Sequence, residues 1–208
     1  MNKNKPLSLV TDTPPVSQKR TVSRTGKTNG ALRSREHLTP AEIETLVKAA
    51  RKNRHGGRDS ALVMVAFHHG LRVSELVNLR WEQIDFEGGA LHVRRAKQGT
   101  PATHPMPGRE LRALRPLKRG SQSPFVFVSE RGAPLSPAAI NRMLQRLGER
   151  CGFSFPLHAH MLRHACGYKL ANQGTDTRTI QGYLGHKNIR HTVRYTELAP
   201  TRFKGLFD

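Results

Sequence analysis

Four short stretches of the chain concentrate side chains able to handle a phosphate. They are GLRVSEL (70–76), RRAKQGT (94–100), HMLRHACGY (160–168) and LGHKNIRHTVRYTE (184–197). Each has an ordinary explanation by itself. Arg72 and Glu75 stand three apart, one helical turn, and can simply pair. Lys97 in a hairpin turn is by default a solvated lysine. His186 after Gly185 suits a helix C-terminus. Tyr195 can pack its ring on a preceding helix. His160 and Arg163 share a helix face. His164, four residues after His160, also suits a metal. Beyond Cys166, no further Cys, Asp or Glu lies nearby in sequence to complete a shell, so no metal site is expected.

As a set, these residues are more specific. Two Arg (Arg72, Arg163), a Lys (Lys97), two His (His160, His186) and a Tyr (Tyr195) are the groups needed to cut a phosphodiester without a metal. Arginine gives the non-bridging oxygens bidentate donors, which lysine does not. A lysine on a turn can protonate the departing 5′-oxygen. A phenol ionises more readily than serine and can serve as nucleophile. Phosphoryl transfer is chiefly positioning and charge stabilisation, so such cations can replace Mg²⁺. No cofactor is expected.

Bulk composition points to the same partner. The 208 residues carry 35 Lys plus Arg against 15 Asp plus Glu, a formal net charge of +20. Repulsion on this scale is relieved by a polyanion, DNA or RNA being the usual one. Hydrophobic residues make up 36%, lean but enough for one core. No run approaches the roughly 18 apolar residues of a membrane span. The start, MNKNKPLSLVTDTPP, lacks the apolar segment of a secretory signal. Two cysteines, Cys151 and Cys166, form no disulfide framework. A cytoplasmic, nucleoid-associated protein is expected.

The elements that must position these groups are legible from periodicity and punctuation. Residues 1–36 lack any helical or strand period and read as a disordered basic arm. The arm follows DNA phosphates or is merely a solvated leader; composition weighs the two equally. Order begins near Leu38. Thr39-Pro40-Ala41-Glu42 predicts a capped helix start with Ile43, Leu46, Val47 and Ala50 inward. Helices follow over 58–68, stopped by Gly70, and over 73–79. Residues 81–86 and 90–95 read as a β-hairpin around Glu87-Gly88-Gly89. Gln98-Gly99 makes a further turn, and 103–106 a third strand. Helices are expected over 108–118, 136–150, 158–173 and 177–184, and in a last helix capped by Asn188 that carries Tyr195. The fold class is α+β: mostly helical with a small antiparallel sheet.

The order Arg, Lys, His-x-x-Arg, His, Tyr, with nine residues from His186 to Tyr195, resembles that of the tyrosine recombinases, or phage integrases. The resemblance spans Leu38 to the end. It is closest to the short single-domain recombinases that invert fimbrial promoter segments in phase variation. HMLRHACGY, DTRTIQGYLGHKNIRHTVRYT (176–196) and the tail RFKGLF (202–207) carry it. It implies a catalytic domain over 37–208 with a tail over 197–208, and no separate N-terminal core-binding domain. By the same resemblance Tyr195 attacks the scissile phosphate to form a 3′-phosphotyrosyl link. Arg72 and Arg163 hold the non-bridging oxygens, and Lys97 protonates the leaving 5′-oxygen. His160 assists proton transfer at the tyrosine, His186 hydrogen-bonds the phosphate, and Glu75 orients Arg72.

The implied function is cleavage and rejoining of duplex DNA without metal or ATP, for inversion, integration or excision. Implied partners are double-stranded DNA at inverted-repeat sites, a homotetramer on synapsed DNA, and DNA-bending accessory proteins. Phe203, Leu206 and Phe207 would dock on a neighbouring protomer or on their own domain. In such enzymes the tyrosine often rides a mobile segment, so without DNA Tyr195 is expected to stand apart from the other five groups. Two alternatives share the charge: a non-cleaving DNA-binding regulator and a relaxing type IB topoisomerase.

Overall fold

The Thr39 hydroxyl accepts from Glu42 N at 3.3 Å while the Glu42 carboxylate accepts from Thr39 N at 2.7 Å. This reciprocal cap fixes the start of α1 (Pro40–Arg51) where the sequence places it, and caps of this kind are worth about 1 kcal/mol. Ile43, Leu46, Val47 and Ala50 form its buried face. The computed structural model describes residues 36–95 and 100–197. The arm before Glu36, the Gln98-Gly99 turn and the tail after Glu197 lie outside the described residues.

Helix α2 (Gly56–His68) begins two residues earlier than expected and is the central element. Its residues 59–67 are all buried, so it shows no polar face from Asp59 to Phe67. The buried Asp59 is held by Arg58 Nε at 2.9 Å and Asn53 Nδ2 at 2.7 Å. α3 (Val73–Val77) follows. The expected first strand is largely absent. Trp81–Gln83 winds into a 3₁₀ turn, because the Gln83 side chain accepts from Arg80 N at 3.0 Å. Only Ile84–Asp85 remains as β1. β2 (Ala90–Val93) and β3 (Ala102–Pro105) complete an antiparallel sheet in the order β1-β2-β3. Leu91 pairs with His104, placing both on the buried face.

The remaining helices are α4 (Gly108–Arg119), α5 (Pro137–Arg150), α6 (Ala159–Asn172), α7 (Thr177–Leu184) and α8 (Arg190–Glu197). Ser136 caps α5 and Asp176 caps α7 through backbone N–H groups. Met143 is only half-buried, while Ile140, Leu144 and Leu147 are inward as expected. α7 ends on Gly185 at φ +63°, a left-handed conformation that glycine adopts without strain. The Asn188 side chain accepts from Arg190 N at 2.9 Å at the start of α8.

The main core gathers α1, α2, the sheet and the inner faces of α4 to α6. A smaller cluster of Cys166, Tyr168, Ala171, Ile180, Leu184 and Tyr195 joins α6, α7 and α8. The α+β architecture thus stands as the sequence indicates. Its site-bearing segments are the end of α2, the end of β2, one turn of α6, the end of α7, and α8.

Candidate active site

Arg163 projects from α6 between two helix ends. Its Nη1 donates to Gly70 O at 2.5 Å and its Nη2 to Leu184 O at 2.7 Å. Gly70 follows the end of α2, and Leu184 closes α7, so both acceptors lie where backbone carbonyls gather negative partial charge. The residue is 1% exposed, and among the described residues no ion pair links it to an acid. Burial, then the charges of Arg72 and Arg95, lower its pKa to about 10, so it stays cationic at neutral pH.

Arg72 enters the same region from the turn after α2. Its Nη1 donates to Glu75 Oε1 at 2.8 Å and its backbone N to Glu75 Oε2 at 2.9 Å. The ordinary ion pair and the orienting contact expected of Glu75 are therefore the same interaction. Glu75 also accepts from Arg95 Nη1 at 3.0 Å. Arg95 is a site residue that spacing alone did not single out. Its side chain is fully buried. It also donates to Tyr183 O and to His69 O. A signal was present: Leu91, Val93 and Arg95 follow strand period two, and all three face inward.

His186 follows the left-handed Gly185. The ordinary alternative, an imidazole capping the helix end, is not how the ring is used. Its Nδ1 lies 2.8 Å from the hydroxyl of the buried Thr192, and its ring stacks near Tyr195 at a centroid distance of 6.3 Å. Burial, then the charges of Arg163 and Arg72, lower its pKa to about 3.

Tyr195 is 1% exposed on α8. Its ring lies on the backbone of α6 at Gly167, where an added Cβ would stand 2.7 Å from Cε2. Its Oη lies 2.9 Å from His164 Nδ1. Burial raises the phenol to about 12 despite the opposing charges of Arg163 and Arg194. The tyrosine does not stand apart: it is seated beside His186 and under the influence of Arg163. His160, exposed at the surface, meets His164 edge-on at 4.4 Å. Partial desolvation of its ring, then the Arg163 charge, lowers its pKa to about 4. The ring in contact with the phenol is thus His164, which the sequence marked only as a metal candidate. Among the described residues, no group of three or more His, Cys, Asp or Glu could hold a metal. Lys97 lies outside the described residues, in the connection between β2 and β3.

A second polar cluster braces these elements. Glu110 accepts from His68 at 2.7 Å and from His69 at 2.9 Å, and His69 Nδ1 lies 3.3 Å from His104 Nδ1. His104 stacks on Tyr183 at 3.7 Å, and the Tyr183 hydroxyl donates to His68 O at 2.8 Å. The set ties α2, β3, α4 and α7 together. Its partners are far apart in sequence, so spacing offers no hint of it.

These environments set a pH dependence of stability. Burial holds His104 at about 3 and His164 at about 3, and His186 and His160 are lowered as described. Below pH 6.5 the unfolded chain binds protons that the folded chain does not, so stability falls as pH drops through that window. The two histidine partners of Glu110 outweigh its burial and bring it to about 2. Its contribution is present above pH 4.5 and is lost as pH falls toward 2. The melting temperature is therefore expected to decline from about pH 6.5 downward, before most carboxylates titrate. Thermal melts across pH 4–8 check this; a level melting temperature down to pH 4.5 contradicts it.

The profile of the phage integrase family matches residues 36–202. The type 1 fimbriae regulatory protein FimB of Escherichia coli (strain K12) is 42% identical over 182 residues, which cover 85% of this chain and 91% of FimB. FimE of the same strain is 39% identical over 184 residues, covering 85% of this chain and 93% of FimE. The tyrosine recombinase XerA of Pyrococcus furiosus is 35% identical over 172 residues; the match covers 80% of this chain but 59% of XerA. A crystal structure of XerA recombinase superposes with a TM-score of 0.71 at 28% identity, over 82% of this chain and 63% of that one. Among the described residues no helix is long and apolar enough to cross a membrane.

Proposed function

The chain belongs to the phage integrase family, and from that premise we propose that it is a site-specific DNA recombinase of the tyrosine type. It cleaves duplex DNA through a 3′-phosphotyrosyl intermediate and rejoins it without ATP, because the phosphotyrosine conserves the bond energy. FimB and FimE, regulators of fimbriae by name, match nearly their whole lengths, which supports inversion of a promoter segment as the outcome. The observation that carries the reading is the gathering of Arg72, Arg163, His186 and Tyr195 where α2, α6, α7 and α8 meet.

In this reading Tyr195 Oη attacks phosphorus. Arg72, braced by Glu75, and Arg163, braced by two backbone carbonyls, hold the non-bridging oxygens. His186 hydrogen-bonds the phosphate, and His160 takes part in proton transfer on the tyrosine side. Lys97, carried by the β2–β3 connection, protonates the departing 5′-oxygen. The partner is double-stranded DNA at inverted repeats. Strand exchange joins two duplexes and four strands, so four protomers act together, with DNA-bending proteins assisting. The basic arm over 1–36 and the tail over 197–208 supply further grip on DNA and on neighbouring protomers.

The experiment uses nicked suicide duplexes tiled across the genomic DNA on both sides of the encoding gene. The wild-type chain is expected to form a denaturant-stable covalent adduct on some of them, and Tyr195→Phe on none. A persistent adduct with Tyr195→Phe would falsify the nucleophile. Binding with no adduct on any duplex would mark a non-cleaving regulator. Relaxation of any supercoiled plasmid regardless of site would mark a topoisomerase.

A further inference from the structure

We propose that His164 is the base that removes the phenolic proton of Tyr195. The inference rests on the recombinase reading above and assigns a residue that reading leaves without a role. His164 Nδ1 lies 2.9 Å from Tyr195 Oη, within the reach required of a general base. Tyr195 is 1% and His164 9% exposed, so bulk water is a poor acceptor for that proton. His164 directly follows Arg163 in α6. Successive helical residues point about 100° apart, so one turn of helix sends a guanidinium toward the ends of α2 and α7 and an imidazole toward α8. His160, one turn earlier, meets His164 edge-on at 4.4 Å and reaches the surface, giving the proton a way out.

The step balances within the chain and the DNA. The Oη–H bond breaks and its proton moves to His164 Nδ1. The Oη–P bond forms, the P–O5′ bond breaks, and O5′ takes a proton from Lys97. Rejoining runs in reverse, with His164 returning its proton to the phenol. A neutral imidazole is the form able to accept. Burial keeps His164 neutral, as do the permanent charges of Arg194 and Arg163 around it; Arg194 is in turn met by Glu36. As the Oη–P bond develops, the phenolic oxygen loses basicity, so transfer becomes favourable during attack rather than before it.

Two measurements decide the matter. In the DNA-free full chain, nitrogen NMR of His164 at neutral pH is expected to show Nδ1 without a proton and shifted by Tyr195→Phe. A protonated Nδ1 overturns the proposal whether or not the chain cleaves DNA. With a nicked duplex that traps the wild type, His164→Asn keeps a polar atom near the Nδ1 position but is not a base. Cleavage is expected to slow about a hundredfold or more, with a rate that climbs with pH where the wild type is flat. Ligation of a nicked duplex carrying a 3′-p-nitrophenyl phosphate, which needs no tyrosine, is expected to be unchanged in the variant. Equal loss of both reactions means a scaffold role, and faster cleavage means a latch on the phenol; either overturns the proposal. If the wild type traps no duplex, the recombinase reading fails, while the NMR result still decides where the proton sits.

Discussion

Replacing Glu75 by alanine is expected to cost about 3–5 kcal/mol of folding stability, the usual penalty for stripping a buried charge of its partner. The Arg95 side chain is fully buried and Glu75 is 3% exposed at its side chain. Glu75 is the acid that both Arg95 and Arg72 reach. Alanine leaves Arg95 with backbone carbonyls alone, and its pKa, already lowered by burial, loses the charge that opposes the shift. Glutamine retains the hydrogen-bonding shape but not the charge and should fall between. Urea unfolding of the three proteins checks the order; a loss below about 1 kcal/mol in Glu75→Ala would place that pair among ordinary surface ion pairs.

Changing Arg163 to lysine should cut DNA cleavage about 10²–10³-fold, the typical loss on removing one transition-state donor. The guanidinium spans Gly70 O and Leu184 O with separate nitrogens while remaining a cation toward the site. A single ammonium cannot hold both carbonyls and face a phosphate in a plane. Formation of the covalent adduct measures the loss, and a gel-shift assay measures DNA binding. Adduct formation should collapse while binding of duplex DNA stays close to wild type, because many surface cations share the non-specific grip. A variant that cleaves within about threefold of wild type removes Arg163 from the phosphate site, since one donor is worth far more.

The sequence and the structure agree best where local chemistry sets the outcome. The Thr39 cap, the helix end at Gly185 and the Asn188 contact at the start of α8 all depend on residues within a few positions of one another. The expected strand over 81–86 failed because Gln83 turns back on Arg80, and apolar patterning does not register that contact. The Arg72–Glu75 pair was legible because the two lie a helical turn apart; His160 and Arg163, equally spaced, part company, the first exposed against His164 and the second buried on two carbonyls. Arg95, the Glu110 cluster and the His164–Tyr195 contact were not legible, since their partners are brought together by folding across 20 residues or more. A charged residue on the inward phase of a strand, or a histidine pair at the end of a buried helix, is the trace such networks leave in a sequence.

Of the three guanidiniums at the site, Arg72 and Arg95 share the Glu75 carboxylate, and Arg163 is held by carbonyls that carry no formal charge. Three positive charges against one negative leave that cluster at +2. In the recombinase reading a phosphodiester brings −1 and leaves +1, and the phenolic proton that passes to His164 stays beside the phosphate, so the sum does not fall further during attack. The surplus positive charge therefore faces the phosphate oxygens throughout, where negative charge develops as oxygen attacks phosphorus.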